Sequence, residues 1–244
     1  MQLFWPFGRF RHYRRQSAVL DPAALAALRQ AILESPLMAA SNLNHRFAGT
    51  YGFSLAFRRE HLPEVLAQLP ALGPFLARAL RPECNAFFLN PLLITDGAGV
   101  APHVDLSLAS TVPGVRTPRY VSVLYLEVPP GLEGGELKLY EGPRHKATVT
   151  PREGSLVTFR GDMRHEVAPV RAGAPGIYEA RLSLVVEQYQ LTDVQLTHLP
   201  ALRVGTRREA LPSEPPLAGG AGPGAFGDEV RRWLGDAPDE REVM

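Results

Sequence analysis

The chain reads Ala101-Pro102-His103-Val104-Asp105 directly after a glycine-rich turn, Asp96-Gly97-Ala98-Gly99. We interpret this stretch as the opening of a strand, on which side chains at alternate positions point to the same side. His103 and Asp105 would then present a ring nitrogen and a carboxylate together. Because the chain holds seven histidines, a His-x-Asp triplet is weak evidence for a site when it stands alone.

A second histidine strengthens the triplet. His165 follows the apolar run 155–159 and the turn at Gly161-Asp162. A lone histidine is more often a structural residue than a ligand. The evidence for a metal site therefore comes from His165 together with the His103-Val104-Asp105 triplet. Two histidines and one carboxylate on one face leave coordination positions open, which is typical of non-haem Fe(II) sites. We therefore predict that His103, Asp105 and His165 are metal ligands and form the catalytic centre.

Arg181 adds a candidate anion site. In the run 180–186, Leu182 and Leu184 fall on one face of a predicted strand, and Arg181 and Ser183 fall on the other. A charged residue that points into an apolar barrel needs a partner. A guanidinium binds a carboxylate through two parallel hydrogen bonds, so a dicarboxylate cosubstrate would supply that partner.

Other interpretations of Arg181 stay open at this point. It would be unremarkable as a solvent-exposed residue of an edge strand, or as the ion-pair partner of Glu179 or Glu187. Arg171 is a rival anchor for an anion, but it lies in a loop that contains glycine and proline.

Several short strands separated by turn signals, at intervals of about 8–12 residues, predict a sandwich or barrel from residue 85 onward. Asp21-Pro22 begins a helix with an apolar face formed by Leu25, Leu28 and Ile32. A second helical stretch covers Pro63 to Ala79, with a break near Gly73-Pro74. We divide the chain into a basic-aromatic N-terminal arm (1–18), a helical and extended support region (19–84), a β core (85–192) and a partly flexible C-terminal extension (193–244).

Composition excludes some classes of protein. The formal net charge is +1, which gives no global argument for nucleic acid. Cys84 is the only cysteine, so a disulfide framework and a cysteine-rich zinc site are both excluded, and a reducing, cytoplasmic location is expected. No run approaches the roughly 20 apolar residues of a membrane span. No feature indicates an oligomeric state.

Taken together, these motifs resemble the Fe(II)/2-oxoglutarate-dependent dioxygenases, nearest to the prolyl 4-hydroxylase-like branch. The resemblance runs from about residue 85 to residue 189. It is carried, in order, by His103-Val104-Asp105, the strand 120–126, the hairpin entry Glu133-Gly134-Gly135-Glu136-Leu137, His165-Glu166-Val167 and Arg181-Leu182-Ser183.

The resemblance implies a mainly β fold with flanking α-helices, built on a double-stranded β-helix (a jelly-roll or cupin-like core). It implies Fe(II), 2-oxoglutarate and O2 as cofactor and cosubstrates, with ascorbate as a reductant. It also implies that His103, Asp105 and His165 bind iron, and that Arg181 binds the distal carboxylate of 2-oxoglutarate beside Ser183 and Tyr125.

By the same resemblance, the expected activity is hydroxylation of an unactivated C–H bond on a prolyl or other residue of a peptide or protein. A small-molecule hydroxylase, acting on a free amino acid or metabolite, is the alternative within the superfamily. A non-catalytic cupin-like module that binds metal or ligand is an alternative from another class. A nucleic-acid demethylase rests only on the arginine-rich segment 9–15, and the near-zero net charge argues against it.

Overall fold

Two antiparallel sheets face each other in the computed structural model of the protein, which describes residues 12–40, 47, 49–171 and 180–206. The strands are β1 (Tyr13–Gln16), β2 (Ala39–Ala40), β3 (Thr50–Gly52), β4 (Ser54–Arg58), β5 (Ala86–Ile94), β6 (Val100–His103), β7 (Tyr120–Glu127), β8 (Glu133–Gly134), β9 (Leu137–Glu141), β10 (Arg144–Val149), β11 (Leu156–Arg160), β12 (Arg164–Val167), β13 (Val170–Arg171), β14 (Arg181–Tyr189) and β15 (Leu202–Gly205).

The larger sheet has the order β1-β11-β7-β14-β5-β3-β2, and β4 also pairs with β5 on one side and β15 on the other. The smaller sheet has the order β10-β9-β12-β6, and β8 pairs with β13. From β5 to β14 the chain passes repeatedly between the two sheets, although the hairpin β9–β10 stays within the smaller one. This topology confirms the predicted double-stranded β-helix.

Strand β7 separates two apolar cores, as its alternating pattern predicts. Val121, Val123 and Tyr125 point between the sheets, whereas Tyr120, Leu124 and Leu126 point to the outer face of the larger sheet. The outer face is covered by α1 (Pro22–Leu33), α2 (Leu62–Gln68) and α3 (Gly73–Ala79). The inner face is therefore left to line the interior of the barrel.

The first helix begins where the sequence predicts. The Asp21 side chain accepts a hydrogen bond of 2.9 Å from the backbone N–H of Ala24, and Pro22 occupies the first turn. Leu25, Leu28 and Ile32 are buried against the sheet. The helical faces and caps of this region thus follow directly from local sequence.

The second helical stretch breaks earlier than predicted. Leu69 leaves the helical conformation directly before Pro70, and a 3₁₀ turn, Pro70–Leu72, follows. A residue before proline avoids the α region, which explains the break. Gly73-Pro74, where the break was predicted, instead begins α3, because proline is tolerated in a first turn.

Strand β5 is longer than predicted. The sequence suggests two runs, 86–89 and 92–95, but the structure has one strand that includes Pro91. On the β3–β4 side, Pro91 lies opposite the point where β3 has ended at Gly52 and β4 has yet to begin at Ser54. The missing N–H of proline therefore costs no ladder hydrogen bond on that side.

Both ends of the described chain contribute strands to the larger sheet. Residues 13–16, within the predicted arm, pair with β11, and β15, within the predicted C-terminal extension, pairs with β4. The rest of the predicted C-terminal extension, residues 207–244, lies outside the described residues. None of the helices in the described ranges has the length and hydropathy that a membrane crossing requires.

Candidate active site

The smaller sheet and the segment that follows β6 bring His103, Asp105 and His165 together inside the barrel. His103 on β6 and His165 on β12 are directly paired across the smaller sheet. The distances from Asp105 are 3.1 Å from Oδ1 to His103 Nε2 and 3.5 Å from Oδ2 to His165 Nε2. All three side chains are buried, and one ligand atom from each lies within 4.8 Å of the others. This is a suitable donor set for one metal ion.

Asp105 reaches this position by a different route from the one the sequence suggested. We expected His103 and Asp105 to open a strand and to share a face by alternation. His103 is instead the last residue of β6, and Asp105 lies in the irregular segment before a 3₁₀ turn, Ser107–Ser110. The prediction that the two side chains are neighbours is correct, but the predicted strand is wrong.

Hydrogen bonds orient both imidazole rings. Nδ1 of His103 lies 2.9 Å from the carbonyl oxygen of Ala101, and Nδ1 of His165 lies 3.1 Å from that of Met163. A carbonyl oxygen only accepts, so each Nδ1–H donates. When such a ring is neutral, its Nε2 is an acceptor, and both Nε2 atoms are aimed at the carboxylate of Asp105. Acceptors that converge in this way require a cation between them.

The protonation states suit a metal. Burial alone would raise the pKa of Asp105, but the nearby His165 and His103 outweigh it and hold the pKa of the carboxyl below its usual value. Burial lowers the pKa of His165, against an opposing effect from Asp105. An ionised carboxylate and a neutral imidazole are the forms that bind a metal ion.

Arg181 lies in the same cavity and has an unusual environment. It is 1% exposed at the start of β14, which pairs with β5 and β7 on its two sides. Nε and Nη1 have no hydrogen-bond partner among the described residues, and neither does the hydroxyl of Tyr125. The guanidinium carbon is 4.9 Å from the centre of the Tyr125 ring. A buried cation and a buried hydroxyl left unpaired together point to an anionic ligand.

The structure excludes two of the alternatives for Arg181 and does not describe the third, an ion pair with Glu179. An edge-strand position is excluded because β14 is central. Glu187 is not its partner, because that carboxyl accepts from Tyr189 Oη and from both the backbone N–H and the hydroxyl of Ser107. Glu179 lies outside the described residues. Arg171 is exposed on β13, which makes it a poor anchor for a buried anion.

Ser183 and Tyr125 are direct cross-strand partners of β14 and β7. The hydroxyl of Ser183 is buried, and its nearest acceptor, the carbonyl oxygen of Leu92, is 3.5 Å away. Leu182, Leu184 and Val186 point to the other core, as the alternation predicts. The sheet thus places Arg181 and Ser183 on one wall of the cavity, with Tyr125 beside them on the neighbouring strand.

Gly135 contributes to the Arg181 site through the absence of a side chain. Its backbone has a φ of +70°, and a Cβ added there would lie 3.2 Å from Cδ of Arg181. The sequence marked Gly134-Gly135 as a hairpin entry and did not reveal this contact. Glycine lets the backbone pass close to the arginine stem.

The cavity has a volume of about 550 Å³ and includes residues that sequence reasoning did not single out. Asn90 of β5 and Glu187 of β14 face it, and Ser54 lies beside them on β4. Glu187 also fixes Ser107, two residues after Asp105. The alternation along β14 would have placed Glu187 on the Arg181 face, but Glu187 was considered only as an ion-pair partner.

Residues 89–186 match the family model described as the 2OG-Fe(II) oxygenase superfamily. A search of curated protein sequences gives no match.

Solved structures resemble the chain over most of its length. A prolyl hydroxylase from Trichoplax adhaerens, in complex with a hypoxia inducible factor oxygen degradation domain peptide fragment, is 16% identical with a TM-score of 0.50, over 76% of this chain and 86% of that chain. A prolyl-4-hydroxylase from Pseudomonas putida is 19% identical with a TM-score of 0.47, over 75% and 95%. An oxidoreductase of the 2OG-Fe(II) oxygenase family from Burkholderia pseudomallei is 16% identical with a TM-score of 0.47, over 75% and 87%. The first of these similarities shows a shared fold.

Proposed function

Because residues 89–186 identify this chain as a member of the 2OG-Fe(II) oxygenase superfamily, an Fe(II)- and 2-oxoglutarate-dependent dioxygenase, we propose that it hydroxylates an unactivated C–H bond on a prolyl or other residue of a peptide or protein. His103, Asp105 and His165 hold Fe(II). Arg181 binds the distal carboxylate of 2-oxoglutarate, and the hydroxyls of Ser183 and Tyr125 supply further hydrogen bonds.

One observation carries this assignment. Three convergent acceptors that need a cation and an unpartnered buried guanidinium that needs an anion line the same cavity. A ligand that chelates a metal at one end and carries a carboxylate at the other satisfies both. 2-Oxoglutarate has this shape, and O2 is the second cosubstrate.

The protein positions the reacting groups and excludes water from the cavity. When bound, Fe(II) supplies the reduction of O2 that couples decarboxylation of 2-oxoglutarate, to succinate and CO2, to insertion of one oxygen atom into substrate. The backbone carbonyls of Ala101 and Met163 fix the two histidine rings. Glu187 fixes the segment after Asp105 through Ser107. Apolar side chains from both sheets surround the ligands, which keeps competing reactions with water away.

A peptide is the first choice of substrate. Val104 and Leu106, on either side of Asp105, are exposed apolar residues at the cavity mouth. The ring of Phe47 packs edge-on against His103, with ring centres 5.1 Å apart. Such a rim is suited to an apolar residue of a peptide. The shared fold of the Trichoplax adhaerens enzyme, which was solved with a peptide fragment, is consistent with this choice.

Two measurements separate the alternatives. Calorimetric titration of metal-loaded protein with 2-oxoglutarate distinguishes the oxygenase, which binds it, from a cupin-like module, which does not. Mass spectrometry of candidate peptides and small metabolites then identifies the product by a gain of one oxygen atom with succinate as co-product. If only free amino acids or metabolites gain an oxygen atom, the protein is a small-molecule hydroxylase and not a peptide hydroxylase.

The cytoplasm remains the proposed location. The lone cysteine, Cys84, is buried and free, as expected of a protein from a reducing compartment. Subcellular fractionation tests this proposal, and recovery in an oxidising compartment would contradict it.

A further inference from the structure

The side-chain amide of one buried residue, Asn90, faces the cavity. Asn90 lies in the middle of β5 and is 6% exposed. Its side chain makes no hydrogen bond within the part of the chain that the structure describes. Its amide is therefore open to the cavity and able to hydrogen bond to a group that enters it.

Other amides near this sheet show the contrast. Gln188 is fully buried, and its side chain donates to Ala79 O and Ser122 Oγ and accepts from Arg81 N. Asn85 donates to Leu191 O and accepts from Leu191 N. These side chains use both their nitrogen and their oxygen, whereas the amide of Asn90 uses neither. Asn90 differs from them in facing the cavity.

The position of Asn90 separates it from the 2-oxoglutarate anchor. Asn90 pairs with Val185 of β14, four residues beyond Arg181 along the strand. At about 3.3 Å per residue, that places it roughly 13 Å from Arg181 along the wall. A five-carbon diacid held at Arg181 and at the metal is shorter than that span. Asn90 therefore faces the part of the cavity that remains for substrate.

The chemistry around Asn90 favours an uncharged amide group on the substrate. A primary amide offers two N–H donors and one carbonyl acceptor, which is the complement of another amide. Beside Asn90 on this face lies the carboxyl of Glu187, two residues from Val185, and it offers a substrate carboxylate no positive charge. The lone pairs of Glu187 are already used by Ser107 and Tyr189, so it is also poorly placed to bind a substrate ammonium.

We propose that Asn90 determines specificity by hydrogen bonding to an amide of the substrate, so that the substrate is a peptide and not a free amino acid. This inference rests on the proposed function and names the substrate class for the same site.

The test uses a library of N-acetylated, C-amidated dipeptides and the matching free amino acids, offered to full-length protein with Fe(II), ascorbate and 2-oxoglutarate. Product is detected as a gain of one oxygen atom. We expect wild type to hydroxylate members of the capped set. Asn90→Leu, which has nearly the same shape, should lower kcat/KM for them by roughly tenfold to a hundredfold.

Two controls separate recognition from folding. The Kd of metal-loaded Asn90→Leu for 2-oxoglutarate should stay within about twofold of wild type and its thermal midpoint should not fall, because an unpaired amide has been removed. Gln30→Leu, which removes an exposed amide on α1, should hydroxylate the capped dipeptides as wild type does.

Equal kcat/KM in wild type and Asn90→Leu would overturn the assignment. So would hydroxylation restricted to free amino acids, or no hydroxylated library member from a protein that makes succinate from 2-oxoglutarate unaided. Absence of succinate under all conditions would instead overturn the proposed function, and this inference with it.

Discussion

Arg181 is a buried charge that the described protein leaves unpaired, and this makes its removal informative. Removing an uncompensated buried charge relieves a desolvation cost. We predict that Arg181→Met keeps or raises the thermal midpoint, yet weakens 2-oxoglutarate binding on the order of a hundredfold, as expected for loss of a bidentate charged contact. Calorimetry of the metal-loaded variant measures the binding change.

Arg171→Met is the matched control, since it removes an exposed arginine from β13. It should bind 2-oxoglutarate as wild type does. A large loss of affinity in Arg171→Met, with Arg181→Met unaffected, would move the anchor to the rival residue.

Glu187 should make the stability of the metal-free protein depend on pH. Burial, together with the charge of Asp105, raises its pKa from 4.5 to about 8. The folded protein thus binds this proton more tightly than the unfolded chain, so its contribution to stability is complete below pH 4.5 and is lost as pH rises toward 8. We predict that Glu187→Gln, which stays neutral, reduces this decline.

Urea unfolding of metal-free protein from about pH 5 to about pH 8.5 measures the effect. Glu64→Gln, at an exposed position on α2, should follow wild type. An identical decline in wild type and Glu187→Gln would contradict the raised pKa.

For single residues, strand alternation predicted some positions correctly and failed at others. Alternation along a strand was enough to place Arg181 and Ser183 opposite Leu182. The contact between the side chains of Asp105 and His103 depends on an irregular segment of backbone, whose side-chain directions strand periodicity does not predict. Asn90 was missed because the absence of a hydrogen-bond partner is a property of the folded environment and leaves no mark in sequence.

At the scale of elements, the pairing of β5 with its neighbours depends on Gly52. A Cβ at Gly52 would lie 2.1 Å from the carbonyl oxygen of Pro91, so the strands must separate to accept it. We predict that Gly52→Ala destabilises the protein by about 2 kcal/mol or more, as overpacking in a rigid core does. Denaturant unfolding measures the loss.

Gly73→Ala offers a matched control at the start of α3, where the nearest atom to an added Cβ is 3.8 Å away. That change should be neutral or slightly stabilising. Equal effects of the two substitutions would show that the approach of Gly52 to Pro91 is not tight.

Elements with strong local signals were predictable, and those set by pairing were not. The start of α1 follows from Asp21 and Pro22 alone. The continuity of β5 through Pro91 depends on the gap between β3 and β4, which only the assembled sheet reveals. The strand β15 likewise exists because β4 offers it an edge, so a weak local pattern concealed it.

At the scale of the whole molecule, Cys84 reports on unfolding. It is the only cysteine, it is buried, and burial raises the pKa of its thiol to about 12. We predict that a thiol reagent labels native protein slowly and denatured protein rapidly. Saturating Mn(II) and 2-oxoglutarate should slow labelling further, because ligands that bind only the folded state lower the unfolded fraction.

The labelling rate in native buffer, with and without these ligands, checks this prediction. Cys84→Ser is the blank for reaction at other groups. Rapid labelling of native protein, at the rate of the denatured chain, would contradict the buried position of the thiol.

The proposed function depends on one chemical event, the turnover of 2-oxoglutarate at a centre held by His103, Asp105 and His165. Succinate formation from 2-oxoglutarate, Fe(II), ascorbate and O2 tests it most directly. Wild type and His145→Ala, which changes an exposed histidine on β10, should both make succinate, whereas His103→Ala should make none. Succinate production by His103→Ala at the wild-type rate would contradict the site, and its absence from wild type would contradict the activity.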